Sequence, residues 1–151
     1  TPNRRRTSTI LMPYILDTNI VSELMSETPN QQVIQWLDEQ PIDDLFITSI
    51  TVAEILFGIK RLEQGKRKSQ LAEQAALILD AHFHQKTNNF DKESAVFYAD
   101  IRQSRTQRGM PISHADCQIA AIACQYDCTL VTRNIKDFQE IESLSIFNPF
   151  V

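Results

Sequence analysis

The chain has 151 residues and a formal net charge of −4, and 42% of its residues are hydrophobic and 23% are charged. This length and composition predict one compact domain with its own core, and they exclude a disordered chain and a small disulfide-stapled protein. The acidic balance excludes a protein that coats nucleic acid by overall charge, and the three isolated glycines exclude the glycine-rich dinucleotide fingerprint and the phosphate-binding loop.

The first eleven residues are predicted to be a polar tail. Three consecutive arginines lie among Thr, Asn and Ser, and Met12 is the expected start of the original chain. We therefore expect a tail over residues 1–11, native or upstream in origin, and a single domain over residues 12–151. No run is long and apolar enough for a signal peptide or a membrane-spanning helix, so a cytoplasmic location is expected.

The pattern of the first third predicts strands that alternate with helices. The predicted elements are a strand at residues 14–16, a helix at about 20–25, a helix at 28–40 and a strand at 45–47. Asp17 directly follows the first apolar run, where a strand ends and a polar turn begins. Pro29 predicts the first turn of the second helix, because proline is well tolerated there.

The same alternation continues to the end of the chain. Helices are predicted at about residues 49–62, 71–79, 92–109 and 113–126, and strands at 129–132 and 144–147. Gly65 is expected to end the first of these helices, and the basic residues 66–68 are expected to precede the second.

Short apolar strands separated by helices predict an α/β fold. Parallel neighbours need long crossovers, which the helices supply, so a mostly parallel twisted sheet of about four to five strands flanked by helices is expected. In such sheets the ligand crevice lies beyond the carboxyl ends of the strands. The residues that follow Leu16 and Val131 are therefore the first candidates for a functional site.

Four acidic residues are predicted to converge on this edge: Asp17, Glu54, Asp116 and Asp137. Each has a simple structural explanation when taken alone. The spacings of Thr51 with Glu54 and of Ser113 with Asp116 match the capping box, in which an acid in the first turn bonds a backbone N–H. Asp17 is also suited to capping a turn, and Asp137 to a solvated loop.

Taken together, the four acids point to metal chemistry. Clustered carboxylates in a partly buried cleft require a counter-charge, and a hard divalent cation prefers oxygen ligands. Mg²⁺ or Mn²⁺ is therefore expected, with substrate phosphate completing its coordination. The three cysteines form no C-x-x-C pair and the three histidines form no H-E-x-x-H motif, so zinc is poorly supported.

Four segments carry a family resemblance: LDTN at 16–19, TVAEILFG at 51–58, HADCQIAA at 114–121 and VTRNIKDF at 131–138. Together they resemble a PIN-domain ribonuclease, most closely the VapC/FitB branch of toxins from type II toxin–antitoxin pairs. The resemblance spans residues 12–150. It implies a PIN-like fold, Mg²⁺- or Mn²⁺-dependent hydrolysis of RNA phosphodiester bonds, a homodimer, and inhibition by a cognate antitoxin that also carries any DNA binding.

The resemblance also implies roles for individual residues. Asp17 and Asp116 match the main metal ligands, Glu54 matches an acidic helix position, and Asp137 matches a variable fourth acid. Some relatives are acidic at the position of Asn134 instead, so either Asn134 or Asp137 completes the metal shell. Substrate or water positioning is expected of five residues: Thr18, Asn19, Thr132, Arg133 and Asn134.

Two other functions remain open from the sequence. A magnesium phosphatase of the haloacid type begins with a similar strand-end motif, but that family has a second Asp where Asn19 stands. A non-catalytic PIN-like subunit in a DNA-binding repressor complex is the alternative from another class. The basic residues predicted to hold RNA are Lys60, Arg61, residues 66–68, Arg102, Arg105, Arg108 and Arg133.

Overall fold

A computed structural model describes residues 13–151, so the predicted tail over residues 1–11 and Met12 lie outside the described part. In this part the helices α1 to α6 are Thr18–Leu24, Gln31–Glu39, Ser49–Lys60, Lys66–Ala76, Lys92–Gln107 and His114–Gln125. The strands β1 to β5 are Tyr14–Leu16, Leu45–Thr48, Thr87–Asn88, Thr129–Val131 and Ile146–Phe147. Short 3₁₀ turns occur at Ile42–Asp44 and Ile135–Phe138, and a π-helical turn at Leu77–His82 extends α4.

The strands form one sheet in the order β3-β2-β1-β4-β5, and all neighbouring pairs are parallel. The predicted α/β fold with a parallel sheet is therefore confirmed. The four strands predicted from sequence are all present. The fifth, β3, pairs Thr87 and Asn88 with the end of β2, and its two polar residues gave no apolar run that could reveal it.

Alternate residues of the central strands face opposite sides of the sheet. Ile15 and Leu130 pack into one core with α5 and α6, whereas Leu16 and Val131 pack into the other with α1, α2, α3 and α4. All four side chains are fully buried, and each contributes roughly 1.5–3 kcal/mol to folding. The central strands are fixed from both faces, which gives a rigid base to the residues that follow them.

Three local predictions were wrong. Helix α2 begins at Gln31 rather than at residues 28–29, because Asn30 caps it by accepting hydrogen bonds from the N–H groups of Gln32 and Val33. Gly65 does not end α3, which stops at Lys60, but stands at the start of α4.

The basic residues 66–68 consequently form the first turn of α4 instead of a segment before it. Gly109 does follow α5 as predicted, with a φ of 69° that favours glycine. None of the helices within residues 13–151 has the length and apolar character needed to span a bilayer.

Candidate active site

The site lies at the carboxyl ends of β1 and β4, which we call the acidic edge and define by Asp17, Glu54, Asp116 and Asp137. The strand register pairs Leu16 with Val131, so Asp17 and Thr132 emerge side by side. The Asp17 N–H donates to the Val131 carbonyl over 2.9 Å, which fixes the backbone of Asp17 to β4. Sheet pairing therefore determines where this carboxylate lies.

Asp17 is the most buried acid of the edge, with 4% of its surface exposed. It caps α1: its Oδ1 accepts from the Thr18 N–H at 2.8 Å. Its Oδ2 accepts from the Thr132 hydroxyl at 2.8 Å and from the Asn19 amide at 3.2 Å.

The proton affinity of Asp17 is unusual for an aspartate with three donors. Burial raises its pKa from 3.8 to about 6 against the lowering effect of the Thr132 and Thr18 bonds, and the nearby charges of Asp116 and Glu54 add to the rise. The hydrogen bonds that the protein supplies therefore do not fully offset the cost of burying the negative charge of Asp17.

Glu54 is held by a hydroxyl chain that sequence reasoning missed. Thr51 contacts Thr18 through their hydroxyl oxygens at 2.9 Å, and the Thr18 hydroxyl donates to Glu54 Oε1 at 2.6 Å. Because a carboxylate only accepts, the hydroxyl of Thr51 donates to that of Thr18. The chain ties Glu54 on α3 to the first residue of α1.

The predicted capping box of Thr51 and Glu54 was wrong. Helix α3 begins at Ser49, and Thr48 is its cap, because its hydroxyl accepts from the Thr51 N–H at 3.1 Å. Glu54 therefore lies in the second turn rather than the first. With no role in capping, its carboxylate faces Thr18.

The capping role predicted for Ser113 is confirmed, since its hydroxyl accepts from the Asp116 N–H at 3.1 Å. Burial raises the pKa of Asp116, the Ser113 bond lowers it, and the charges of Asp137 and Glu54 raise it further. The carboxylate at this helix start is thus partly buried and is repelled by the charges of two other acids.

Asp137 lies in the 3₁₀ turn after β4 and is exposed. A buried arginine, Arg105 of α5, holds this turn: its Nη1 donates to the Asp137 and Gln139 carbonyls, both at 3.0 Å. Its Nε donates to the Met110 carbonyl at 2.7 Å. Arg105 is 4% exposed, so its predicted role on an RNA-binding surface was wrong. It supports the backbone that carries Asp137.

The other residues predicted to position substrate or water also surround Asp17. Asn19 uses its amide nitrogen on Asp17 and accepts the Arg133 N–H at 3.1 Å, and the Asn134 N–H donates to the Thr132 hydroxyl at 3.0 Å. The Arg133 guanidinium lies 4.5 Å from the centre of the Phe150 ring. The loop after β4 is thus tied to the start of α1 through side chains.

All four predicted acids are linked electrostatically. The charges of Asp116 and Glu54 raise the pKa of Asp17, and the charges of Asp137 and Glu54 raise the pKa of Asp116. None of the four forms an ion pair, since the ion pairs within residues 13–151 are Lys86 with Asp43 and Arg108 with Glu140, but the charge of Arg105 lowers the pKa of Asp116.

The donor set at this edge fits a hard divalent cation, since it consists of carboxylate oxygens with uncompensated charge. Within residues 13–151, no three acidic, His or Cys side chains lie close enough to form a complete metal-binding group. Mg²⁺ does not require one, because it keeps several waters and binds through one or two carboxylates together with substrate phosphate.

A groove of about 530 Å³ opens beside the acidic edge. Thr18 and Glu54 are among its lining residues, together with apolar side chains such as Met25, Ile59 and Leu71 and polar side chains that include Ser26, Glu27 and Arg67. A groove with this mixed polar and apolar lining beside a carboxylate suits a substrate or an extended segment of another protein.

Comparison with known proteins agrees with this architecture. The PIN domain family model matches residues 14–144. Toxin FitB of Neisseria gonorrhoeae is 36% identical over 136 residues, which cover 90% of this chain and 97% of FitB. VapC ribonuclease Y4jK of Sinorhizobium fredii is 33% identical over 136 residues, which cover 90% of this chain and 96% of the relative.

Solved structures show the same fold. A chain of FitAB bound to an IR36 DNA fragment superposes with a TM-score of 0.85 and 36% identity, covering 91% of this chain and 96% of that chain. A chain of VapBC2 from Rickettsia felis, bound to a promoter DNA fragment, gives a TM-score of 0.77 and 28% identity, covering 91% and 98%. The region matched by the PIN domain model, residues 14–144, contains β1 to β4 and all four acids.

Proposed function

The chain belongs to the PIN-domain family, and from this membership we propose that it is a Mg²⁺- or Mn²⁺-dependent endoribonuclease that acts as the toxin of a toxin–antitoxin pair. The observation that carries the proposal is the buried carboxylate of Asp17, whose pKa is raised to about 6 beside Asp116 and Glu54 with no basic partner among residues 13–151. Relatives named ribonuclease and toxin support the reaction class.

In this proposal Asp17 and Asp116 bind the metal, with Glu54 and Asp137 completing the acidic set and Asn134 as the alternative to Asp137. A cation held by these carboxylates would supply an activated water for in-line attack on an RNA phosphodiester and positive charge against the phosphate. The protein supplies fixed carboxylates on a rigid sheet edge.

The neighbouring residues hold these carboxylates in place. The Thr132 hydroxyl and the Thr18 N–H each bond one oxygen of Asp17 and so fix the plane of its carboxylate. The Thr18 hydroxyl occupies Oε1 of Glu54 and leaves Oε2 free to accept a hydrogen bond from a water at the reacting phosphate. Asn19 and Thr132 hold the loop that carries Arg133 and Asn134.

Partners follow from the same membership. We propose that a cognate antitoxin inhibits the enzyme, that DNA is bound only through that antitoxin, and that the toxin is a homodimer in the cytoplasm. The relatives FitAB and VapBC2 form complexes with DNA fragments, which supports this assignment. The groove beside Glu54 offers a binding surface for such a partner. We also propose residues 12–151 as the single folded domain.

The deciding experiment uses the chain freed of any co-purifying partner. It is incubated with total cellular RNA in Mg²⁺ or in EDTA, and new 5′ ends are mapped by sequencing. Asp17→Asn is the test variant, and Asp91→Asn, which changes a capping aspartate outside the acidic edge, is the matched control.

We expect discrete cuts that require Mg²⁺, persist in Asp91→Asn and disappear in Asp17→Asn. If the unaltered chain binds metal but makes no cuts, the ribonuclease assignment fails. The non-catalytic repressor subunit would then be the better explanation, and it predicts that Asp17→Asn leaves partner binding and repression unchanged.

A further inference from the structure

Three side chains at the junction of α5 and α6 form a cluster that the proposed mechanism does not use. They are Tyr98 and Arg102 of α5 and His114, the first residue of α6; we call them the Tyr98 cluster. The Tyr98 hydroxyl oxygen lies 2.5 Å from His114 Nδ1, and Arg102 Nη1 donates to that oxygen at 2.7 Å. His114 and Asp116 both lie in the first turn of α6, so the cluster and this acid are carried by the same helix end.

The rings of Tyr98 and His114 form one flat surface. Their planes differ by 11° and their centroids are 5.9 Å apart. Aromatic faces in contact would lie ~3.5 Å apart, whereas the hydroxyl and Nδ1 atoms are only 2.5 Å apart. The two rings therefore lie nearly edge to edge rather than one on the other. Phe90 packs against Tyr98 at 80° and supports this arrangement.

The hydrogen bonds fix the donor groups that remain free. Arg102 only donates, and it lies 2.7 Å from the Tyr98 oxygen and 3.3 Å from His114 Nδ1. Nδ1 is therefore an acceptor from Tyr98, and the ring hydrogen of His114 is on Nε2. Within residues 13–151, Nε2 makes no hydrogen bond and Arg102 has no carboxylate partner.

We propose that the Tyr98 cluster binds a nucleotide of single-stranded RNA that flanks the cleaved phosphate. Arg102 takes a backbone phosphate, and the flat surface of Tyr98 and His114 stacks against a base. Arg102 and His114 are exposed and Tyr98, which also packs against Phe90, is half-buried, so His114 offers the more accessible part of the stacking surface. Aromatic platforms combined with cationic groups are the general means of holding single strands, and stacking accepts any base. The inference rests on the proposed ribonuclease function.

Binding is measured by fluorescence anisotropy with a labelled, single-stranded RNA oligonucleotide in EDTA and again in Ca²⁺, over a range of salt concentrations. The test variants are Arg102→Gln and His114→Ala. The matched control is Lys92→Gln, because Lys92 is also exposed and also lies on α5, so the variant removes one positive charge from the same helix outside the Tyr98 cluster. Unfolding temperatures show that each variant is folded.

Loss of a stacked base weakens binding by about 5- to 100-fold, and this is the effect expected of His114→Ala, with the salt dependence unchanged. His114→Phe, which keeps a flat ring, should recover much of the affinity. Arg102→Gln should lower the slope of log K against log salt by ~0.7, the value for one phosphate contact on a single strand. Arg102→Lys should restore the slope.

The proposal is overturned if both test variants bind RNA as Lys92→Gln does, or if the unaltered chain binds no RNA in either condition. These outcomes are distinct from failure of the proposed function. If RNA binding depends on the cluster but no metal-dependent cut appears, the nucleotide site stands and the nuclease assignment fails. If metal-dependent cuts appear and the test variants bind RNA normally, the nuclease assignment stands and the nucleotide site fails.

Discussion

Asp17 and Asp91 each cap a helix in this protein and accept the same number of hydrogen bonds, but the pKa of Asp17 is raised and the pKa of Asp91 is lowered. Asp17 caps α1 and accepts from Thr18, Asn19 and Thr132. Asp91 caps α5 and accepts twice from Ser94 and once from Gln125. Capping alone therefore does not distinguish them.

The surroundings of the two carboxylates distinguish Asp17 from Asp91. The Ser94 N–H lowers the pKa of Asp91, Gln125 adds to this effect, and the small cost of burial opposes both. For Asp17, burial is the largest effect and raises the pKa to about 6, and two further acids repel its charge. The protein itself stabilises the charge of Asp91, which is therefore a structural cap, whereas the charge of Asp17 requires an external cation.

The largest expected difference between the two is in catalysis. Asp17→Asn should lower kcat/KM for a cleavable RNA oligonucleotide in Mg²⁺ by at least ~10²–10³-fold, because it removes charge stabilisation at the reacting phosphate. Asp91→Asn should change kcat/KM by less than about 2-fold, since Asp91 lies outside the acidic edge. Comparable losses in the two variants would remove the distinction.

The second prediction concerns the stability of the metal-free protein. The folded-state pKa of Asp17, about 6, lies above its unfolded value of 3.8, so the folded state holds the proton more tightly. The resulting stabilisation is complete below the unfolded pKa and is lost as pH rises through about 6. At 1.36 kcal/mol per pKa unit, the loss is on the order of 3 kcal/mol.

Urea unfolding in EDTA between pH 4 and pH 7.5 measures this loss, and Asp17→Asn should show a flatter profile than the unaltered chain. Mg²⁺ should then raise the stability of the unaltered chain at pH 7.5 more than that of Asp17→Asn. Asp91 has the opposite sign: its lowered pKa contributes stability above its unfolded pKa that is lost on acidification. A parallel pair of profiles for the unaltered chain and Asp17→Asn would contradict the assignment.

The third prediction concerns the hydroxyl chain to Glu54. Thr18→Val removes the donor to Glu54 while keeping the shape of the side chain, and it should lower kcat by about 10- to 100-fold, as is usual for groups that orient metal-site residues. Thr18→Ser should restore activity. Gln125→Leu, which removes a donor from Asp91 instead, should leave kcat unchanged; an equal loss there would show that any lost bond affects cleavage.

The sequence allowed the strands and the acids to be placed because both depend on local pattern. Apolar runs revealed β1 and β4, and parallel pairing then required Asp17 to lie at the sheet edge. Long-range side-chain contacts were not predictable in this way. The Thr18–Glu54 bond joins residues 36 apart, and the Arg105 bond to the Asp137 carbonyl joins residues 32 apart.

The capping assignment in α3 failed for a related reason, although the predicted start of that helix at residue 49 is confirmed. Thr51 with Glu54 and Thr48 with Thr51 are both acceptable capping pairs, and a capping motif alone does not say which residue starts the helix. The end of β2 at Thr48 decided it, and that end is set by pairing with β1 and β3. With Thr48 as the cap, Glu54 has no capping role and belongs to the acidic edge, so the wrong capping assignment concealed part of the site.

The smallest expected effect tests whether proximity to the acidic edge, rather than overall charge, determines how basic residues contribute. The Arg133 N–H bonds Asn19 in the loop that follows β4, whereas the Lys68 ammonium donates to the Lys60 carbonyl at the end of α3. Arg133→Glu and Lys68→Glu change the net charge equally. Arg133→Glu should raise KM for RNA on the order of 5-fold more than Lys68→Glu, and the difference should shrink at high salt. Equal KM values would show that the acidic protein attracts RNA through its whole surface rather than through the loop beside Asp17.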